Sequence, residues 1–178
     1  FDINTDTSVF NDYLKKYPAR EQEDRINSYI AVAALHERDY AGAVEAYDRI
    51  DELDDDMVLN YMKANYLRAV QLVESGSYRL AIPCLKAAAY YSDRGSRFYQ
   101  LARYWLAESY YRNDQYKEAL DVFTDLYNIS ALYGQKENEV IPYNIAYCHF
   151  KNEDYNAALR WFSEYVSESG KTYRQEAL

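Results

Sequence analysis

The sequence predicts an all-α chain in which antiparallel helix pairs stack into a solenoid. Three observations carry this. First, the 178 residues contain only five Gly and three Pro. That is too few chain breakers for the many tight turns of an all-β protein. Second, apolar residues recur at helical spacing, as in Leu101, Tyr104, Trp105, Ala107 and Tyr111. Third, one pattern returns four times: Asp39-Tyr40-x-x-Ala43-x-x-x-Tyr47, Ser77-Tyr78-x-x-Ala81-x-x-x-Leu85, Gln115-Tyr116-x-x-Ala119-x-x-x-Phe123 and Asp154-Tyr155-x-x-Ala158-x-x-x-Phe162. The Tyr spacings are 38, 38 and 39, and another small residue precedes each Ala by 12: Ala31, Ala69, Ala107 and Ala146. A fixed period of this length marks a stacked repeat.

Each unit reads as two helices. The first helices are expected over 22–37, 57–75, 96–113 and 138–152. The second are expected over 40–53, 78–91, 116–128 and 155–167. The units are therefore 22–53, 57–91, 96–128 and 138–167 of one array covering 1–178. Polar turns separate the paired helices, and three put Asp39, Ser77 or Asp154 directly before the Tyr. There the side chain can accept from a free N–H at the helix start. The two Ala per unit let facing helices approach closely, and the bulky residue four positions on fills the next gap. Residues 1–18 read as the end of a preceding repeat, and 171–178 as the start of a further helix. Partial units at both ends imply a longer parent protein.

Charge and composition exclude several functions. The chain carries 29 Asp+Glu against 20 Lys+Arg, a net charge of −9. Nucleic-acid binding needs clustered cations, so that partner is excluded. No apolar run reaches the roughly 18–20 residues of a membrane span. Cys84 and Cys148 sit among apolar helix residues without zinc spacing and are expected to be buried free thiols, two units apart. His36 and His149 fall in the first and fourth units and cannot share a site; a core role is expected for His149. Asp51, Glu52, Asp54, Asp55 and Asp56 lack the Gly and spaced ligands of a calcium loop and read as a solvated turn. With no nucleophile elbow, phosphate loop or metal-helix motif, the chain is expected to be no enzyme, with no catalytic residue, metal or cofactor.

The small residue and aromatics of the first helices, with Ala-x-x-x-Phe in the second, resemble the tetratricopeptide repeat (TPR) family. Ala107-x-x-Tyr110 with Ala119-x-x-x-Phe123 is the best copy. The family's Trp is replaced by Asn27, Asn65, Arg103 and Pro142, and its Gly by Ala in every copy. The resemblance implies a right-handed superhelix with a concave groove lined by the first helices. The segment Phe10-Asn11-Asp12-Tyr13-Leu14-Lys15-Lys16-Tyr17-Pro18 and the Tyr-rich composition are similar to long bacterial envelope TPR proteins. That implies a periplasmic or outer-membrane-associated setting, with a cytoplasmic one as the alternative.

A helical wheel sorts the faces. With each first-helix Ala at zero and about 100° per residue, offsets −4, −1 and +3 face the second helix. Offsets −6, −3, +1, +4 and +5 form a separate arc, which the resemblance places on the groove. The first unit puts Arg25, Ser28, Val32, Leu35 and His36 there. The later units put Tyr66, Tyr104, Glu108, Tyr111, Arg112, Tyr143, Tyr147, Phe150 and Lys151 there, and these are the expected partner-binding residues. Tyr104, Tyr111, Tyr143 and Tyr147 should form one continuous aromatic surface. TPR domains that clamp a chaperone's C-terminal carboxylate use Lys and Asn at −3 and +1. None stands at those offsets here, so that partner class is excluded. The expected function is a scaffold that binds a protein or peptide segment. The alternative is a glycan-binding module in which groove tyrosines stack on sugars; Trp105 and Trp161 fall off the arc, which counts against it.

Overall fold

The computed structural model describes residues 6–17, 20–133 and 139–167. They form α1 (Ser8–Lys16), α2 (Arg20–His36), α3 (Tyr40–Tyr47), α4 (Asp55–Glu74), α5 (Tyr78–Tyr90), α6 (Arg97–Arg112), α7 (Tyr116–Tyr133), α8 (Ile141–Lys151) and α9 (Tyr155–Ser167). Among the described residues there is no strand, and no helix is long and apolar enough to cross a membrane. From α2 onward each helix packs against its chain neighbours, as a solenoid of antiparallel pairs requires. The pairs are α2/α3, α4/α5, α6/α7 and α8/α9, the four units expected from the repeat. Helix α1 touches α2 only lightly and buries none of its own residues. The further helix expected over 171–178 lies outside the described residues.

The repeated alanines are buried between the helices. Ala31, Ala69, Ala107 and Ala146 of the first helices have no exposed surface, and neither do Ala43, Ala81 and Ala119 of the second. The residues four positions beyond the second-helix alanines are buried in three units, as Tyr47, Leu85 and Phe123. Phe162 is only half-buried, because no described helix covers the outer side of α9. The main core runs continuously from Ala69 and Leu72 through Leu85, Leu106 and Phe123 to Ile141, Ile145 and Cys148. Ala31, Ala43 and Tyr47 of the first unit and Ala64 of the second anchor another cluster. A Leu or Phe buried in such a core contributes about 1.5–3 kcal/mol.

One turn recurs in all four units. The residue two past each first helix has a positive φ: Arg38 (61°), Gly76 (73°), Asp114 (58°) and Glu153 (63°). The next amide reaches back across the turn: Asp39 to Ala34 O, Ser77 to Leu72 O, Gln115 to Tyr110 O and Asp154 to His149 O, at 2.7–3.0 Å. This is the Schellman closure, which satisfies the last carbonyls of a helix. The following residue then starts the second helix. Asp39 accepts from the Gly42 amide and Asp154 from the Ala157 amide, as expected. Ser77 does not cap its helix, because its hydroxyl pairs with that of Ser75.

Several boundaries differ from expectation. Helix α3 stops at Tyr47 rather than 53. The amides of Arg49 and Ile50 bond three residues back instead of four. That tight turn drops Ile50 into the core at 8% exposure. It also releases Asp54 to cap α4 through the Met57 amide. The acidic run is thus partly structural, with Asp55 and Asp56 in the first turn of α4, where the helix dipole favours anions. Helix α7 runs to Tyr133, past the expected 128. Helix α8 begins at Ile141, later than the expected 138, with Pro142 in its first turn, where its missing N–H costs nothing.

Candidate partner-binding groove

The groove is built from the periodicity of the first helices. On α6, Tyr104, Glu108, Tyr111 and Arg112 are spaced by three or four residues and so share one face. On α8, Tyr143 and Tyr147 do the same. The two faces meet around a cavity of about 440 Å³, lined by Tyr104, Glu108, Tyr111, Arg112, Phe123, Val140, Tyr143, Asn144 and Tyr147. Its volume falls in the range of about 300–1,000 Å³ typical of ligand sites.

The rings are not freely displayed. Tyr104 packs edge-on against Phe123 of its own second helix, with centroids 5.8 Å apart. Tyr143 and Tyr147 lie 4.8 Å apart and lean on Phe162 of α9 at 5.9 and 5.2 Å. The wheel expected these rings to stand clear of the second helix. They are instead half-buried, each with one side on its partner helix and the other on the cavity. Tyr104 and Asn144 are linked across the cavity by the Asn144 Nδ2 donor, 3.4 Å from the Tyr104 hydroxyl.

Among the described residues, two formal charges line the cavity, and they face each other. Arg112 Nε donates to Glu108 Oε1 at 2.7 Å. The Glu108 side chain is 19% exposed and that of Arg112 is 56% exposed, so the carboxylate sits deeper than the guanidinium. The hydrogen bond it donates to Glu108 holds the arginine above its usual range. Burial pushes the Tyr111 phenol up to about 12, helped by the neighbouring Cys148, Tyr116, Tyr147 and Glu108. Burial, then Glu108, pushes the Cys148 thiol up to about 12 as well. Both groups are neutral at pH 7.

Three expected residues lie outside this cavity. Tyr66 borders a separate cavity of about 310 Å³ with Ala69, Val70, Val73, Glu74, Leu85 and Trp105. Its ring packs on Phe98 of α6 at 4.7 Å. Phe150 lies beside Tyr147 and Tyr155 at 6.4 and 5.7 Å and is 48% exposed. Lys151 Nζ sits 5.9 Å from the Tyr116 ring centroid, and that ring in turn contacts Tyr111. Phe150 and Lys151 lie beside the cavity instead of lining it, and Tyr66 lines a different one.

Sequence reasoning missed Trp105, Asn144 and Phe123. Trp105 and Asn144 occupy the same offset, two before the small Ala. That offset falls at about 160° on the wheel, roughly 20° past the arc's edge. Phe123 belongs to the second helix, which the wheel of the first helices does not contain. Elsewhere, Cys84 and Cys148 are free thiols. His149 is partly buried, with Nδ1 3.5 Å from Asp154 Oδ2, while His36 is exposed in the first unit. No group of three metal-ligating side chains occurs among the described residues.

Helix pairs with small residues at the crossing and a groove along the first helices define a TPR-like helical repeat protein. The chain belongs to the family described as "Uncharacterized protein conserved in bacteria" (DUF2225), which matches residues 36–178. Solved structures agree on the fold. MamA from Desulfovibrio magneticus RS-1 is 19% identical, with a TM-score of 0.52 over 88% of this chain and 81% of that one. The TPR-like repeats of a Podosopora anserina putative kinesin light chain are 15% identical, with a TM-score of 0.58 over 86% and 81%. The apo form of RapI is 12% identical, with a TM-score of 0.59 over 96% of this chain and 51% of that one. No curated protein matches the chain.

Proposed function

We propose that this chain is a non-enzymatic scaffold that holds a protein or peptide segment in the groove of its first helices. The observation that supports this best is the cavity between α6 and α8, where two adjacent units each contribute two tyrosines. Stacked helix pairs form extended concave surfaces of the kind used for binding. Tyrosine offers large contact area with few rotors to freeze. The peptide spans the aromatic surface and sinks one side chain between Tyr104 and Tyr147. Peptides selected by display on the wild-type chain, then measured on the double variant Tyr104→Ala/Tyr147→Ala, test this. The selected peptides should lose about 30-fold in affinity, the effect of removing about 2 kcal/mol of central contact. Peptides that bind the double variant equally well would place the binding face elsewhere.

One observation supports the glycan alternative. Trp105 and Glu74 line the same cavity beside Tyr66, and sugar sites pair a flat ring with a carboxylate. Glycan-array binding lost in Trp105→Ala would favour it over the peptide. An envelope location rests on the sequence resemblance alone, and cell fractionation tests it.

A further inference from the structure

We infer that the cavity between α6 and α8 is a cage for a cationic side chain, so that the segment bound in the groove presents a lysine or arginine there. This rests on the peptide-binding reading and names what the pocket selects. Tyr104, Tyr111, Tyr143 and Tyr147 all line the cavity. A cation within about 6 Å of a tyrosine centroid is attracted by the ring's negative face, more strongly where water is excluded. The same chain already uses this contact at its own surface. Arg25 lies 5.8 Å from the Tyr29 centroid, Lys86 5.6 Å from Tyr110 and Lys151 5.9 Å from Tyr116.

Charge decides between a cationic and an anionic guest. Glu108 is the deeper of the two charges, and its Arg112 partner is the more exposed. A guest entering among the rings therefore meets the carboxylate, while the guanidinium remains nearer the mouth. The Arg112 bond engages Oε1, which leaves the Oε2 side of the carboxylate for a guest ammonium or guanidinium. Among the described residues lining the cavity, Glu108 and Arg112 are the charged ones, and Tyr111 is neutral at pH 7. The chain's net charge of −9 steers cationic segments toward it and repels acidic ones.

Three probes of similar shape separate the readings: N-acetyl-arginine methylamide, N-acetyl-norleucine methylamide and N-acetyl-glutamate methylamide. Each is titrated into the chain and followed by NMR through the tyrosine ring resonances, up to its solubility limit. The arginine probe should bind about tenfold more tightly than norleucine at low salt, and added salt should weaken the arginine probe alone. Glu108→Gln keeps the side-chain shape and removes the charge. It should erase that tenfold preference of the arginine probe over norleucine. Thermal melting confirms that the variant is folded. Equal binding of arginine and norleucine, or an undiminished preference in Glu108→Gln, overturns the cage while the groove reading stands. Preference for the glutamate probe overturns it in favour of an anion held by Arg112. If no probe perturbs these rings, the cage and the groove reading fall together.

Discussion

The four left-handed turn residues make a stability prediction that can be worked through in numbers. Gly76 is the only glycine among them; Arg38, Asp114 and Glu153 hold the same conformation with side chains. A non-glycine residue in that region costs about 1–2 kcal/mol. Replacing it with Gly recovers this but adds unfolded-chain freedom worth about 0.5–1 kcal/mol. The net gain is about 0.5–1 kcal/mol per site. Asp114 gains least, because its carboxylate accepts from the Tyr116 hydroxyl at 2.5 Å and Asp tolerates this conformation better than most residues. Arg38 and Glu153 are exposed and lie in the first and fourth units, so their effects should add. Arg38→Gly with Glu153→Gly should raise stability by about 1–2 kcal/mol, a Tm increase of roughly 3–6 °C for a chain of this size. Gly76→Ala is the converse. An added Cβ there meets no atom within 4 Å, so any loss, expected at about 1 kcal/mol, is a backbone effect. Differential scanning calorimetry of the two variants measures this. A fall in Tm for the double glycine variant would mean that the turns close by some other geometry.

Other outcomes follow from packing and titration. Ala107→Leu, at a fully buried helix crossing, should lose about 1–3 kcal/mol by overpacking in denaturant melts; an unchanged midpoint would refute the close α6–α7 contact. Tyr104→Ala and Tyr147→Ala should each cost about 2 kcal/mol, between the value for an exposed ring and that for a core ring, because each ring is half-buried. A cost near zero for both would mean the rings stand free. Tyr61, Tyr111 and Cys148 are all raised to about 12, so their neutral forms are favoured in the fold. That contribution is complete below their unfolded values of about 8.5–10 and is lost as pH rises toward 12. Denaturation midpoints should therefore fall between about pH 9 and 12, and less steeply in Tyr111→Phe; parallel curves for the two proteins would count against the cause. Cys148 should resist a thiol reagent in the native chain and react on unfolding, since the thiolate is the reactive form.

Much of this architecture is local and therefore legible in the residues. Helix periodicity places Ala31, Ala69, Ala107 and Ala146 at crossings, and all four have no exposed surface. The same periodicity puts Tyr104, Glu108, Tyr111 and Arg112 on one face of α6, and the cavity opens there. A wheel follows from backbone geometry alone, which is why these residues could be placed without tertiary information. Other features depend on how one unit is rotated against the next. That rotation brings Trp105 and Asn144 around to the cavities and seats Tyr66 on Phe98. Packing of the two helices within a unit, also tertiary, leans Tyr143 and Tyr147 on Phe162, and only then are the groove rings half-buried. The early end of α3 is likewise tertiary: Ile50 is drawn into the core by contacts with residues far from it in sequence. Arg38 and Glu153 carry no local signal for a left-handed turn. They adopt it because the packed helices on either side leave the chain three residues in which to reverse, and burial across the pair outweighs the strain.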